Sequence, residues 1–125
     1  KLTKGPICGA CKTGLRFPSA PINATTASFD REVNDWPGAL LLEFRSDTCG
    51  YCQMVAPVVN DIARWKAGIL KVIKVDVQRE FPLAQRFQAM ATPTFILLRD
   101  GKQLARIDGA PREKIDLVRW IEQFL

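Results

Sequence analysis

Two compact apolar runs, Ala39–Arg45 (ALLLEFR) and Ile69–Val77 (ILKVIKVDV), flank a longer stretch with a different rhythm. Within that stretch Met54, Val55, Val58, Val59, Ile62 and Trp65 recur at helical spacing from Gly50 to about Trp65. The runs are short and nearly continuous in apolar residues, so each reads as a strand covered on both faces. Strand, helix and strand in that order imply a parallel pair joined by a crossover. Pro57 falls inside the helical stretch and is expected to kink it. Downstream, Phe81–Gln88 reads as a helix. Thr94–Arg99 and Gln103–Asp108 flank Asp100-Gly101, a strong hairpin signal. Pro111 suits the first turn of a last helix. There Leu117, Val118, Ile121, Phe124 and Leu125 share a face opposite Glu113, Asp116 and Arg119. Upstream, a short strand is expected near Ala20–Asn23. A short helix capped by Thr25 or Thr26 follows, running through Ser28, Phe29 and Val33 and stopping before Pro37. The order β-α-β-α-β-α-β-β-α gives an α/β fold with a mixed central sheet of about five strands flanked by four helices.

A chain of 125 residues makes one domain, and its 47% apolar and 25% charged content is that of a soluble globular protein. Residues 1–24, rich in Gly and Pro, read as an irregular arm carrying Cys8 and Cys11; residues 25–125 read as the folded domain. The net charge of +5 is spread along the chain. No Lys/Arg run is interleaved with aromatic residues, so no nucleic-acid partner is expected. No stretch approaches the about 20 apolar residues of a membrane-spanning helix. No signal peptide is visible, although the chain starts at Lys1 rather than Met. A cytoplasmic location is therefore expected, or a periplasmic one if a signal has been removed upstream. Four cysteines are too few for a disulfide scaffold and remain available for chemistry.

Cys49 and Cys52 sit where the first strand gives way to the long helix. Residues three apart on a helical turn face the same side, so the two sulfurs can meet. The first precedes the helix, where unpaired amides and the helix dipole favour a thiolate; the second lies a turn inside, suited to resolving a mixed disulfide. A metal clamp is the first alternative. It lacks ligands, because structural zinc takes four and the chain has no histidine. An inert pair is the second.

In its motifs the chain resembles the thioredoxin family from about Ser28 to Leu125. The resemblance rests on Phe44, Cys49-Gly50-x-Cys52, Met54, Ala56-Pro57, Lys74, Thr92-Pro93-Thr94, Asp100-Gly101 and Gly109. It implies a thioredoxin fold and a monomeric thiol–disulfide oxidoreductase that needs no bound cofactor. Oxidised proteins would be its substrates and a thioredoxin reductase its electron donor. Cys49 would be the nucleophile and Cys52 the resolving thiol. Pro93 would be the family's cis-proline, where an extended substrate docks along Gly50, Tyr51, Thr92, Pro93 and Gly109. On the residues alone, Pro93 also fits a strand-initiating proline and Gly109 a plain turn. Glu43 matches an acidic residue, usually aspartate in the family, that takes the proton of the resolving cysteine beside a lysine matching Lys74. A carboxylate in so apolar a run should have a raised pKa if buried; the alternative is a glutamate facing solvent.

The chain departs from the family pattern at several points. Gly50-Tyr51 replaces the usual Gly-Pro, Thr48 and Arg45 stand where tryptophans are usual, and Thr92 replaces an isoleucine. The CGYC and Thr-Pro pairing is similar to that of periplasmic disulfide isomerases, so the expected potential is less reducing than that of ordinary thioredoxin. Arg45 either stabilises the Cys49 thiolate or points to solvent. The stretch PICGACKTGL resembles the second half of the zinc ribbon that precedes certain bacterial thioredoxins. With one CxxC instead of two, Cys8 and Cys11 form a second disulfide, remain free thiols, or hold zinc only with ligands from elsewhere. The overall expectation is a reductant of protein disulfides. An oxidase or isomerase, and a non-catalytic adaptor using the same groove, are the alternatives.

Overall fold

The computed structural model describes residues 18–109 and 114–125. Among them the elements are β1 (Ile22–Asn23), α1 (Phe29–Asn34), β2 (Ala39–Arg45), α2 (Gly50–Trp65), β3 (Leu70–Asp76), α3 (Phe81–Arg86), β4 (Thr94–Arg99), β5 (Lys102–Asp108) and α4 (Lys114–Glu122). They form one five-stranded sheet in the order β1-β3-β2-β4-β5. β1, β3 and β2 run parallel, while β4 and β5 are antiparallel to their neighbours. The sheet is therefore mixed, as the terminal hairpin requires.

Strand alternation explains the two cores. Ala39 and Leu41 of β2, with Val72 of β3 and Phe95 and Leu97 of β4, meet Val55, Val59 and Ile62 of α2 and Leu117 and Ile121 of α4. Leu40, Leu42 and Phe44 of β2, with Ile73 and Ile96, meet Phe29 of α1 and Leu83 and Ala84 of α3. β2 is buried on both faces, which is why its sequence reads as a nearly unbroken apolar run. Phe87 closes the second core with its ring against Phe29 and Phe44. Lys71 is buried at the edge of this layer and donates to the Glu32 carboxylate and carbonyl at 2.8 Å, tying β3 to α1.

The differences from the sequence reading have local causes. α1 starts at Phe29 after Ser28 rather than at Thr25 or Thr26. Thr25 and Ser28 instead bond each other reciprocally: Thr25 N–H donates to Ser28 Oγ, and Ser28 N–H to Thr25 Oγ1. α3 ends at Arg86, two residues short of Gln88, because Gln88 takes the left-handed conformation at φ 54°. α2 continues through Pro57. Met54 and Trp65, at helical spacing with the core residues, are 64% and 60% exposed; the inward face continues through Ala63 instead. Leu125 is likewise exposed, and Trp120 packs against the core in its place. Asp100 and Gly101, at φ 54° and 76°, make the expected two-residue hairpin turn.

Candidate active site

β2 ends at Arg45, and after four residues the chain turns into α2 at Gly50. Cys49 is the residue that caps the helix, with extended backbone at φ −89°, ψ 108°. Helix caps are usually oxygen side chains that accept an amide proton of the first turn. Here the sulfur takes that place: Cys52 N–H donates to Cys49 Sγ at 3.1 Å. The pair is joined as a disulfide with Cα atoms 5.2 Å apart. Cys49 is 9% exposed and Cys52 4%, so the first cysteine is the more exposed of the two. Gly50 is exposed, with nothing among the described residues within 4 Å of where a Cβ would stand, and Tyr51 is 65% exposed. The loop before the pair is braced by Cys49 N–H to Ser46 O at 3.3 Å and by Gln53 Nε2 to Asp47 O at 3.2 Å.

Glu43 lies on the face of β2 that carries Ala39 and Leu41 toward α2, closer to the end from which the cysteine loop springs. It is 1% exposed, and its Oε1 has no hydrogen-bond partner among the described residues. Burial pushes its pKa up from 4.5 to about 7, against the opposing pull of Lys74 and then Arg45. Lys74 is its register partner on β3. Arg45, two residues along, does not point freely into solvent. Its guanidinium bonds Asp47 at 2.7 Å and approaches Asp76 of β3 at 3.6 Å. The hydrogen bond from Arg45, more than its charge, holds the Asp47 carboxyl below its usual range. A polar cleft bordered by Asn23, Thr25, Arg45, Lys74, Asp76 and Arg79 opens beside this cluster.

The Thr92–Pro93 peptide bond is cis. Pro93 is buried and Thr92 partly exposed. Pro93 O accepts from Gly109 N–H at 2.7 Å, and Thr94 Oγ1 donates to Ala91 O at 2.6 Å. Thr92 N–H and C=O make no hydrogen bond among the described residues, so an edge of free backbone is presented there. Gly109 has φ 98°, a left-handed conformation that only glycine adopts without strain.

The structure thus joins Cys49 to Cys52, sets Glu43 beside Lys74, and links Pro93 to Gly109. Cys8 and Cys11 lie outside the described residues. Sequence reasoning passed over Met90, which is 93% exposed next to this loop, and the pair Arg106 and Asp108. The alternation of β5 places the last two on one side of the strand, but their partners come from a distant turn and leave no local signature.

Comparison with known proteins agrees with this geometry. The thioredoxin family profile matches residues 20–123. Thioredoxin of Mycobacterium tuberculosis is 42% identical over 92 residues, 74% of this chain and 79% of that one. The bifunctional thioredoxin reductase/thioredoxin of Mycobacterium leprae is 39% identical over 98 residues, 78% of this chain and 21% of that one. Among solved structures, a mutant thioredoxin from Halobacterium salinarum superposes with a TM-score of 0.78 at 29% identity, covering 89% of this chain and 96% of that one. With its cysteine pair at the head of α2 and its profile match across most of the sequence, the chain belongs to the thioredoxin family of thiol–disulfide oxidoreductases.

Proposed function

We propose that this oxidoreductase reduces disulfides of protein substrates, with Cys49 as attacking thiolate and Cys52 as resolving thiol. The observation that carries the reading is the capping geometry. The first-turn amide of Cys52 points at Cys49 Sγ, so a negative charge arising on that sulfur is met by a donor already in place. Cys49 attacks one sulfur of a substrate disulfide. A mixed disulfide forms, and the other substrate sulfur leaves as thiolate. Cys52 then loses its proton and attacks Cys49 Sγ, releasing the second substrate sulfur and closing the Cys49–Cys52 disulfide.

Glu43 takes that proton. A carboxylate with a pKa about 7 is a base matched to neutral pH, whereas an ordinary exposed glutamate would be too weak. Lys74 stabilises its charged form. The substrate lies as an extended segment on the free backbone of Thr92, flanked by Pro93, Gly109, Gly50 and Tyr51. Two electrons from a reductase restore the dithiol. Support for such a partner comes from the Mycobacterium leprae relative, in which reductase and thioredoxin share one chain by name. A reducing compartment such as a cytoplasm suits this direction of flow.

Reduction of insulin disulfides by the protein with NADPH and a bacterial thioredoxin reductase tests the reading. Turnover is expected, and Cys49→Ser abolishes it. Absence of turnover with a reductase that reduces the Cys49–Cys52 disulfide would refute it.

A further inference from the structure

Arg106 projects from β5, the outer strand, and its guanidinium reaches across to the end of α3. Nη1 donates to Phe87 O, Nη2 to Gln88 O at 2.7 Å, and Nε to Asp108 Oδ1 at 2.9 Å. The Arg106 side chain is 22% exposed while Asp108 is 58% exposed, so the ion pair lies at the surface and contributes little, and it is the pair of carbonyl contacts that ties β5 to the end of α3. Phe87 and Gln88 are the residues that stop α3, where helical carbonyls run out of intrahelical donors. Gln88 holds a left-handed φ of 54° without being glycine. A side-chain-bearing residue keeps such a conformation only where its surroundings impose it.

The segment that leaves Gln88 runs through Met90 to Thr92 and Pro93. Its downstream end is fastened by Thr94 Oγ1 to Ala91 O and by Gly109 N–H to Pro93 O. Arg106 fastens the upstream end. β5, which runs straight into Gly109, therefore supplies the other anchor; between the two, Ala89 is buried and its N–H bonds Ala84 O at 2.8 Å, and the chain from Met90 to Pro93 follows.

We propose that Arg106 is a positioning residue for substrate docking: by bridging β5 to the Phe87 and Gln88 carbonyls, it fixes the segment that presents Thr92 to an extended substrate. This rests on the proposed docking of substrate along Thr92. Arg106 touches neither sulfur nor substrate. Its loss therefore falls on reactions that use the docking edge and spares those in which a small disulfide meets Cys49 directly.

The test compares wild type, Arg106→Met and Arg106→Lys with two substrates, insulin and a small aromatic disulfide, both under reductase recycling. Arg106→Met is expected to raise KM for insulin about tenfold, a part of the about 100-fold that a misplacement of about 1 Å can cost, while leaving kcat within about twofold. Its rate with the small disulfide stays within about twofold of wild type. Arg106→Lys keeps one charged donor in place of the fork and raises KM less, about threefold; it carries the test alone should Arg106→Met not fold. An unchanged insulin KM overturns the inference. So does an equal loss on both substrates, or a displaced reduction potential, since either would put the effect of Arg106 on the sulfurs or on the fold. Wild-type turnover in the same assay reports separately on the proposed function.

Discussion

Glu43 and Lys74 stand in register on adjacent parallel strands, with the carboxylate sealed from water and the lysine beside it partly exposed. No hydrogen bond reaches Glu43 Oε1 among the described residues, so the lysine acts on it through space alone. Burial outweighs the cation, and the carboxyl stays protonated up to a pH of about 7.

This arrangement makes stability depend on pH in a definite direction. In the unfolded chain Glu43 ionises near 4.5, in the folded chain near 7, so between these values the folded state binds the extra proton. Its contribution to stability is fully present below about 4.5 and is lost as the pH rises through about 7. The loss is of order 3 kcal/mol, at about 1.4 kcal/mol per pH unit. Glu43→Gln removes the dependence and is the more stable protein at pH 8. Urea unfolding of the oxidised forms at pH 4, 6 and 8 checks this; a parallel fall in both proteins would contradict it.

The same substitution separates the two chemical steps. With Gln at position 43 the attack by Cys49 is expected to proceed, while resolution by Cys52 slows about 100-fold, the usual yield of one general base. Stopped-flow single turnovers with rapid acid quench would show the mixed disulfide accumulating in Glu43→Gln and not in wild type. Equal rates in both would remove Glu43 from the mechanism.

Lys74 and Arg45 both oppose the effect of burial on Glu43, Lys74 the more strongly. Lys74→Met is therefore expected to raise the Glu43 pKa further above about 7, and Arg45→Met to raise it less. Arg45→Met also frees Asp47, whose carboxyl returns upward toward its ordinary range. Carbon-detected NMR titration of the side-chain carboxyls reads both Glu43 and Asp47. A lower Glu43 pKa in either variant would show that these cations do not act on it.

The central sheet was legible because its strands are short apolar runs set between helical spacings. The cysteine pair was legible because its place at the head of α2 follows from that same pattern. β1 was only half legible: Ile22 and Asn23 pair with Ile73 and Lys74, and nothing local marks a two-residue strand. Met54 and Trp65 sit at core spacing but on the rim of the helix, where spacing does not tell covered from uncovered positions. The end of α3 was misread because Gln88 carries no glycine signal; Arg106 lies against its carbonyl from 18 residues away. The burial of Glu43 could be suspected from the run ALLLEFR but needed the sheet, with α2 above it, to be established.

Gly109 offers a conformational prediction. A Cβ there meets nothing within 4 Å among the described residues, so they leave room for it. The obstacle to substitution is φ 98°. Gly109→Ala is expected to cost about 1–2 kcal/mol in stability and to weaken insulin docking through the bond to Pro93 O. Thermal unfolding and KM measured together check this; an alanine variant as stable as wild type would mean that the backbone relaxes freely at this turn.

The division of labour between the two sulfurs is open to direct chemical capture. Reduced Cys52→Ser and Cys49→Ser proteins are each mixed with an oxidised protein substrate, quenched in acid and mapped by mass spectrometry. A stable substrate adduct on Cys49 in the Cys52→Ser protein, and none on Cys52 in the Cys49→Ser protein, is the result expected. Adducts forming equally on either sulfur, or only on Cys52, would contradict it.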